Sequence, residues 1–145
     1  MNLDKVCVDA SLALTWLLNV QKDDRADNLR KQWERSSIEL ICPPMFHSEV
    51  TSVLREEVFF KRLSDEEGEE AFRLFSLIQI SIIDSPAIYR KAWELAKEYN
   101  LPRTYDMQYL AVAETENCDF WTLDRKLFNA VSGKNKRVKW VGSND

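Results

Sequence analysis

Glycine is scarce in this chain: 145 residues contain three, Gly68, Gly133 and Gly142. No two of them have the spacing of a dinucleotide-binding fingerprint or a P-loop, which need glycine so that backbone can approach phosphate closely. Nucleotide binding by those routes is excluded. The one histidine, His47, cannot supply the paired imidazoles of a typical catalytic zinc site or a two-histidine acid–base pair. Cys7, Cys42 and Cys118 are odd in number, widely spaced and without a CxxC, a pattern that points to a reduced, intracellular protein. No window reaches the ~18 apolar residues of a membrane span. The opening MNLDKVCVDAS lacks the apolar segment of a signal peptide, so the expectation is a cytoplasmic protein with no membrane association. Repeats, low-complexity tracts and Pro/Gly-rich linkers are also missing, and residues 1–145 read as a single domain.

Against these absences stand 24 acidic and 20 basic side chains. An acidic balance argues against nucleic-acid binding driven by net charge alone. Hydrophobic residues make up 45% of the chain, enough for a substantial core. Short β-branched or aromatic runs occur at Val6-Cys7-Val8, Leu40-Ile41-Cys42, Ile80 to Ile83, Phe120-Trp121-Thr122 and Val138 to Val141. Between them lie stretches of helical period. Ala26, Leu29 and Trp33 form one stripe, Phe46, Val50, Val53 and Leu54 a second, Phe72, Phe75 and Ile78 a third, and Ile88, Ala92, Leu95, Ala96 and Tyr99 a fourth. Ser64 to Glu67 has the form of a capping box opening the third of these. Strands separated by helices pair in parallel and are covered on both faces. The expected fold is α/β: a three-layer α/β/α sandwich around a central, mainly parallel sheet of about five strands.

In an open parallel sheet, ligands collect beyond the carboxyl ends of the strands. Asp9 follows the first apolar run and Asp124 follows the fourth, so parallel pairing carries both to the same edge. Glu49 lies near the start of a helix, flanking the stripe that begins at Phe46. Asp106 shares a helical face with Tyr109, Leu110 and Ala113, in a first turn where the helix dipole favours a carboxylate. Four carboxylates meeting at one edge repel one another and raise at least one pKa unless a cation is present. With oxygen donors alone, the ion is a hard one, Mg²⁺ or Mn²⁺. Each acid taken singly has a plainer explanation, and Asp9 followed by Ser11 is also a helix cap. The motif spacing excludes two other acidic-pocket classes: a phosphoacceptor domain needs an acidic pair at the first strand, and a haloacid-dehalogenase-like phosphatase a second aspartate where Ser11 stands.

At these residues the chain resembles the PIN-domain ribonucleases, especially the single-domain toxins of VapBC toxin–antitoxin pairs. The ordered matches are VDASLAL, PPMFHSEVTSVL, YDMQYLAVAE and TLDRKL. The resemblance implies a PIN-like fold and metal-dependent cleavage of RNA, with Asp9, Glu49, Asp106 and Asp124 as catalytic and metal-binding acids. It also implies a homodimer and an antitoxin protein as partner. Thr122 and Ser11 match polar residues of the family motifs and are further site candidates, holding a carboxylate or a water. Ser52 stands where many relatives have asparagine. An alternative is a catalytically silent PIN-like module that binds RNA or protein.

For RNA backbone contact the candidates are Arg103, Arg125, Lys126, Lys134, Lys136 and Arg137; from Arg125 to Lys139 there is no acid. The same segment also reads as a solvated loop and an edge strand guarded by lysines. Phe59, Phe60 and Leu63 are candidate interface residues, the tryptophans suit core or interface, and His47 is expected to be an exposed first-turn residue.

Overall fold

The protein is described from a computed structural model covering residues 1–131 and 133–142. The chain begins with β1 (Lys5–Val8), α1 (Ala10–Leu17), a 3-10 turn at Asn19–Gln21, α2 (Asp24–Arg35) and β2 (Glu39–Cys42). It continues with α3 (Met45–Phe59), α4 (Asp65–Leu77), β3 (Ser81–Ile82), α5 (Pro86–Glu98) and α6 (Tyr105–Thr115). It closes with β4 (Asp119–Thr122), α7 (Arg125–Val131) and β5 (Val138–Trp140). All five apolar runs are strands, though the third shortens to two residues at the edge of the sheet.

The strands form one parallel sheet in the order β3-β2-β1-β4-β5. The direction of winding reverses at β1, and right-handed crossovers then place α1 to α4 on one face and α5 to α7 on the other. Successive residues of β4 show both layers. Phe120 stacks on Tyr109 of α6, with centroids 5.7 Å apart and planes 9° apart, whereas Trp121 meets Trp33 of α2 edge-on. Trp16 continues that aromatic contact from α1, so three tryptophans lock one layer while Trp93 lies exposed on α5. Val6, Cys7 and Val8 of β1 are buried along their whole length, as expected of a central strand covered on both sides.

Helix starts follow the sequence closely. Ser64 accepts from the Glu67 backbone N–H at 3.1 Å, and the Glu67 side chain accepts from the Ser64 N–H at 3.0 Å, completing the capping box. Ser85 caps α5, with Pro86 at the first helical position.

Helix ends are less obvious. Ser37, Lys61, Asn100 and Asn117 have φ between 54° and 60° and stand where glycine usually terminates a helix. Each closes a paired set of backbone bonds, such as Ser37 N–H to Glu34 O with Ile38 N–H to Trp33 O. The left-handed conformation is strained for residues carrying a Cβ, least so for asparagine.

Two expectations are corrected here. Leu63 is buried beneath the α3–α4 connection instead of joining an exposed patch; Phe59 and Phe60 remain exposed. His47 is half-buried between the rings of Phe46 and Phe75, both 5.4 Å away, and its Nδ1 is buried without a hydrogen-bond partner.

Candidate active site

The register of the central strands builds the site. Val8 of β1 pairs with Trp121 of β4, so the next residues, Asp9 and Thr122, emerge side by side at the carboxyl edge. This is also where the strand order reverses, the usual position of a ligand crevice in an open sheet.

Asp9 is buried and has two duties. It is the N-cap of α1, with Oδ1 accepting from Leu12 N–H at 3.1 Å and from the Ser11 hydroxyl at 2.6 Å. Its Oδ2 accepts from the Thr122 hydroxyl. Both hydroxyls also accept: Ser11 Oγ from Leu123 N–H at 3.1 Å and Thr122 Oγ1 from Asp124 N–H at 3.0 Å. The turn after β4 is thereby fastened to the turn after β1, and Ser11 and Thr122 both contact the carboxylate. Three hydrogen bonds favour the ionised form of Asp9, but burial outweighs them and pushes its pKa up to about 6, with the charge of Glu49 adding to the rise.

Glu49, one turn into α3, is half-buried. Its carboxyl is raised by desolvation, eased by the hydrogen bond from Tyr109, and raised further by Asp106. Asp106 opens α6 at an exposed position. Partial desolvation of its carboxyl, followed by the charge of Asp124, lifts its pKa as well. Asp124 precedes α7 and accepts from Leu127 N–H through Oδ1 at 3.0 Å. The four acids therefore act on one another in sequence, Asp9 with Glu49, Glu49 with Asp106 and Asp106 with Asp124. Among the described residues, no lysine, arginine or histidine forms an ion pair with any of them.

Uncompensated carboxylates with no nitrogen or sulfur donor suit a hard divalent cation by donor type and charge. Asp9 retains one acceptor position on Oδ2, while Oδ1 already receives two donors. Among the described residues no three acidic, histidine or cysteine side chains are already arranged around a single ion position. The fit therefore rests on donor chemistry and charge.

The basic candidates divide between the two edges of the sheet. Arg125 and Lys126 are exposed at the start of α7, next to Asp124, and Arg103 is exposed just before α6. Lys134 and Lys136 lie in the connection from the far end of α7 to the start of β5, at the opposite edge from the acids. Arg137 belongs there too, donating to Cys118 O at 3.0 Å and Asn117 Oδ1 at 3.2 Å. An acid-free segment of sequence is split because α7 carries the chain from one edge to the other. A cavity of about 790 Å³ at that opposite edge, between the end of α2 and the starts of β2 and β3, contains none of the candidate acids.

Two residues at the site were absent from the sequence candidates. Tyr109 donates its hydroxyl to Glu49 Oε1 at 2.7 Å. Its signal was a tyrosine on the buried face three positions after Asp106, since a buried phenol needs a partner. Trp140 donates Nε1 to Leu123 O at 3.2 Å and lies beneath the Arg125 guanidinium, 5.2 Å from the ring centre. It supports the turn that carries Asp124, although it comes from the last strand.

Comparison with known proteins gives the family and the fold. The family model of the PIN domain matches residues 6–134. The chain is 30% identical over 122 residues to the VapC ribonuclease Mb0985 of Mycobacterium bovis, an alignment covering 84% of this chain and 87% of that protein. Ribonuclease VapC9 of Mycobacterium tuberculosis matches with the same identity and coverage. Among solved structures, a toxin-antitoxin complex from Klebsiella pneumoniae superposes with a TM-score of 0.67 at 16% identity, covering 94% of this chain and 97% of that one. PAE2754 from Pyrobaculum aerophilum superposes with a TM-score of 0.62 at 20% identity, covering 89% and 87%. These two structural likenesses concern the fold.

Proposed function

The chain belongs to the PIN-domain family, and from that premise we propose that it is a Mg²⁺- or Mn²⁺-dependent endoribonuclease, the toxin of a type II toxin–antitoxin pair. The observation that carries this reading is the meeting of Asp9, Glu49, Asp106 and Asp124 at one sheet edge, coupled in charge and without a basic partner among the described residues. The ribonuclease names of its relatives support RNA as the substrate. The four acids also equal the whole excess of 24 acidic over 20 basic residues. The acidity of the chain is thus compatible with RNA binding once a cation neutralises the pocket.

Asp9, Glu49 and Asp106 would hold the ion. When bound, a divalent cation supplies the positive charge that acidifies water and offsets the charge developing on a phosphodiester under attack. The chain's own contribution is orientation. Ser11 and Thr122 fix the Asp9 carboxylate, leaving Oδ2 with the Thr122 hydroxyl as its one donor. Asp124 uses Oδ1 for its helix, so Oδ2 is available to accept a proton from an attacking water. Arg125 and Lys126, next to Asp124, and Arg103, just before α6, would hold backbone phosphates. In-line attack by water expels the 3′ oxygen, leaving 5′-phosphate and 3′-hydroxyl ends.

The deciding experiment is RNA cleavage by the parent, Asp9→Asn and Asp106→Asn, each with Mg²⁺, Mn²⁺ or EDTA. Cleavage by the parent alone, and only with metal, is the expected result. Folded variants that cleave as fast as the parent would refute the assignment, and a parent inactive with either ion would leave the silent binding module. The same reading includes an antitoxin and a homodimer, with exposed Phe59 and Phe60 as candidate interface residues. Light scattering of the chain alone and together with the product of an adjacent small gene tests both partners.

A further inference from the structure

Tyr109 is an unusual residue to find in the middle of α6. Its neighbours Leu110, Ala111, Val112 and Ala113 are all buried, and its ring is fully occupied by stacking on Phe120. Phenylalanine would fill the same space. The hydroxyl is a polar group carried into the core, a placement that is unfavourable unless it is hydrogen-bonded. Its partner is Glu49 Oε1, at 2.7 Å. Among the described residues no other side-chain hydrogen bond joins α3 to α6. This contact therefore ties the helix that bears Glu49 to the helix that bears Asp106, one turn from Asp106 itself.

We propose that Tyr109 is a positioning residue for the cation site: by holding Glu49 Oε1 it fixes the carboxylate and leaves the other oxygen, Oε2, free to ligate an ion. Glutamate has three side-chain torsions and loses rotamer freedom when it ligates a metal. The phenol removes that freedom beforehand, because its own ring is fixed by the stack on β4. Partners of this kind, bonded to a ligand and not to the ion, typically change metal affinity by 10- to 100-fold. The inference rests on the proposed metal-dependent reading of the site and assigns to it a residue outside the acidic set.

The test is Tyr109→Phe, examined by calorimetric titration with Mn²⁺ and by RNA cleavage across a range of Mn²⁺ concentrations. The expected result is roughly tenfold weaker Mn²⁺ binding. The rate falls at limiting Mn²⁺ and recovers at saturation, and KM for RNA is unchanged. Mn²⁺ affinity equal to the parent's overturns the proposal, as does a rate that stays depressed at saturating Mn²⁺, because either outcome removes the role in presenting a ligand. A parent that binds no Mn²⁺ overturns both this inference and the metal reading, whereas a parent that binds with Tyr109→Phe indifferent overturns the inference alone. Tyr109→Met deletes the same hydroxyl with a flexible apolar side chain and leaves Glu49 intact. It keeps the proposal testable if Tyr109→Phe does not fold, with weaker Mn²⁺ binding expected and parental affinity counting against it.

Discussion

At the scale of single residues, the site is held at a cost to stability. Asp9 has its pKa raised from 3.8 to about 6, so the folded chain binds this proton more tightly than the unfolded chain. The associated stability is fully present below pH 3.8 and is lost as pH rises through about 6. Ionising Asp9 in the metal-free fold therefore costs about 3 kcal/mol. Denaturant unfolding in EDTA at pH 4, 5, 6 and 7 is expected to show this loss, and Asp9→Asn to reduce it. On the proposed function, the same variant should cleave RNA on the order of a hundredfold or more slowly, since it removes charge that would hold the ion. Higher stability together with lower activity is the signature of a strained functional acid. Thr122→Val makes the complementary case. It deletes the donor to Asp9 Oδ2 and the acceptor for Asp124 N–H, and should cost about 1–3 kcal/mol in denaturant unfolding.

At the scale of elements, what the chain announces and what it conceals have different physical origins. Helix starts need a side-chain acceptor for free N–H groups, and Ser64 with Glu67 displays one within four consecutive residues. Ser64→Ala should lower stability by about 1 kcal/mol while leaving RNA cleavage per folded molecule unchanged, which thermal melting beside an activity assay will show. Helix ends are normally marked by glycine, but here Ser37, Lys61, Asn100 and Asn117 adopt the left-handed conformation instead. No glycine was present to mark those boundaries. Ser37→Gly and Lys61→Gly are accordingly expected to raise stability by roughly 0.5–1 kcal/mol each, because the native backbone is kept and the Cβ penalty removed. Glycine is retained where helices approach closely: a Cβ on Gly68 of α4 would collide with the Val58 side chain of α3. Gly68→Ala should therefore lower the melting temperature.

At the scale of the whole molecule, the parallel sheet divides the basic candidates between its two edges. The acids gather at the carboxyl edge with Arg125 and Lys126, while Lys134, Lys136 and Arg137 are carried to the other. Arg125→Ala with Lys126→Ala is expected to weaken RNA binding and reduce its salt dependence. Lys134→Ala with Lys136→Ala should change either property little, and fluorescence titration at two ionic strengths compares the pairs. On the proposed metal-dependent reading, an ion that binds the folded chain stabilises the entire fold by mass action. Mn²⁺ at about a hundred times its Kd should stabilise the protein by about 2.7 kcal/mol, an increase that EDTA reverses.

The sequence by itself determined the parallel α/β architecture, through apolar runs and helical stripes, and offered the four acids as candidates, two just after strands and two in the early turns of helices. The two hydroxyl residues that contact Asp9 were offered by the resemblance to PIN-domain motifs. Only the tertiary structure decided which basic residues stand near the acids, since sequence proximity does not survive a helix that crosses from one edge of a sheet to the other. It likewise decided that His47 and Leu63 turn inward. The support from Tyr109 to Glu49 and from Trp140 to the turn before Asp124 links elements distant in the chain. Whether a buried phenol or indole finds a partner depends on packing between layers, and the sequence carries no local signal for the identity of that partner.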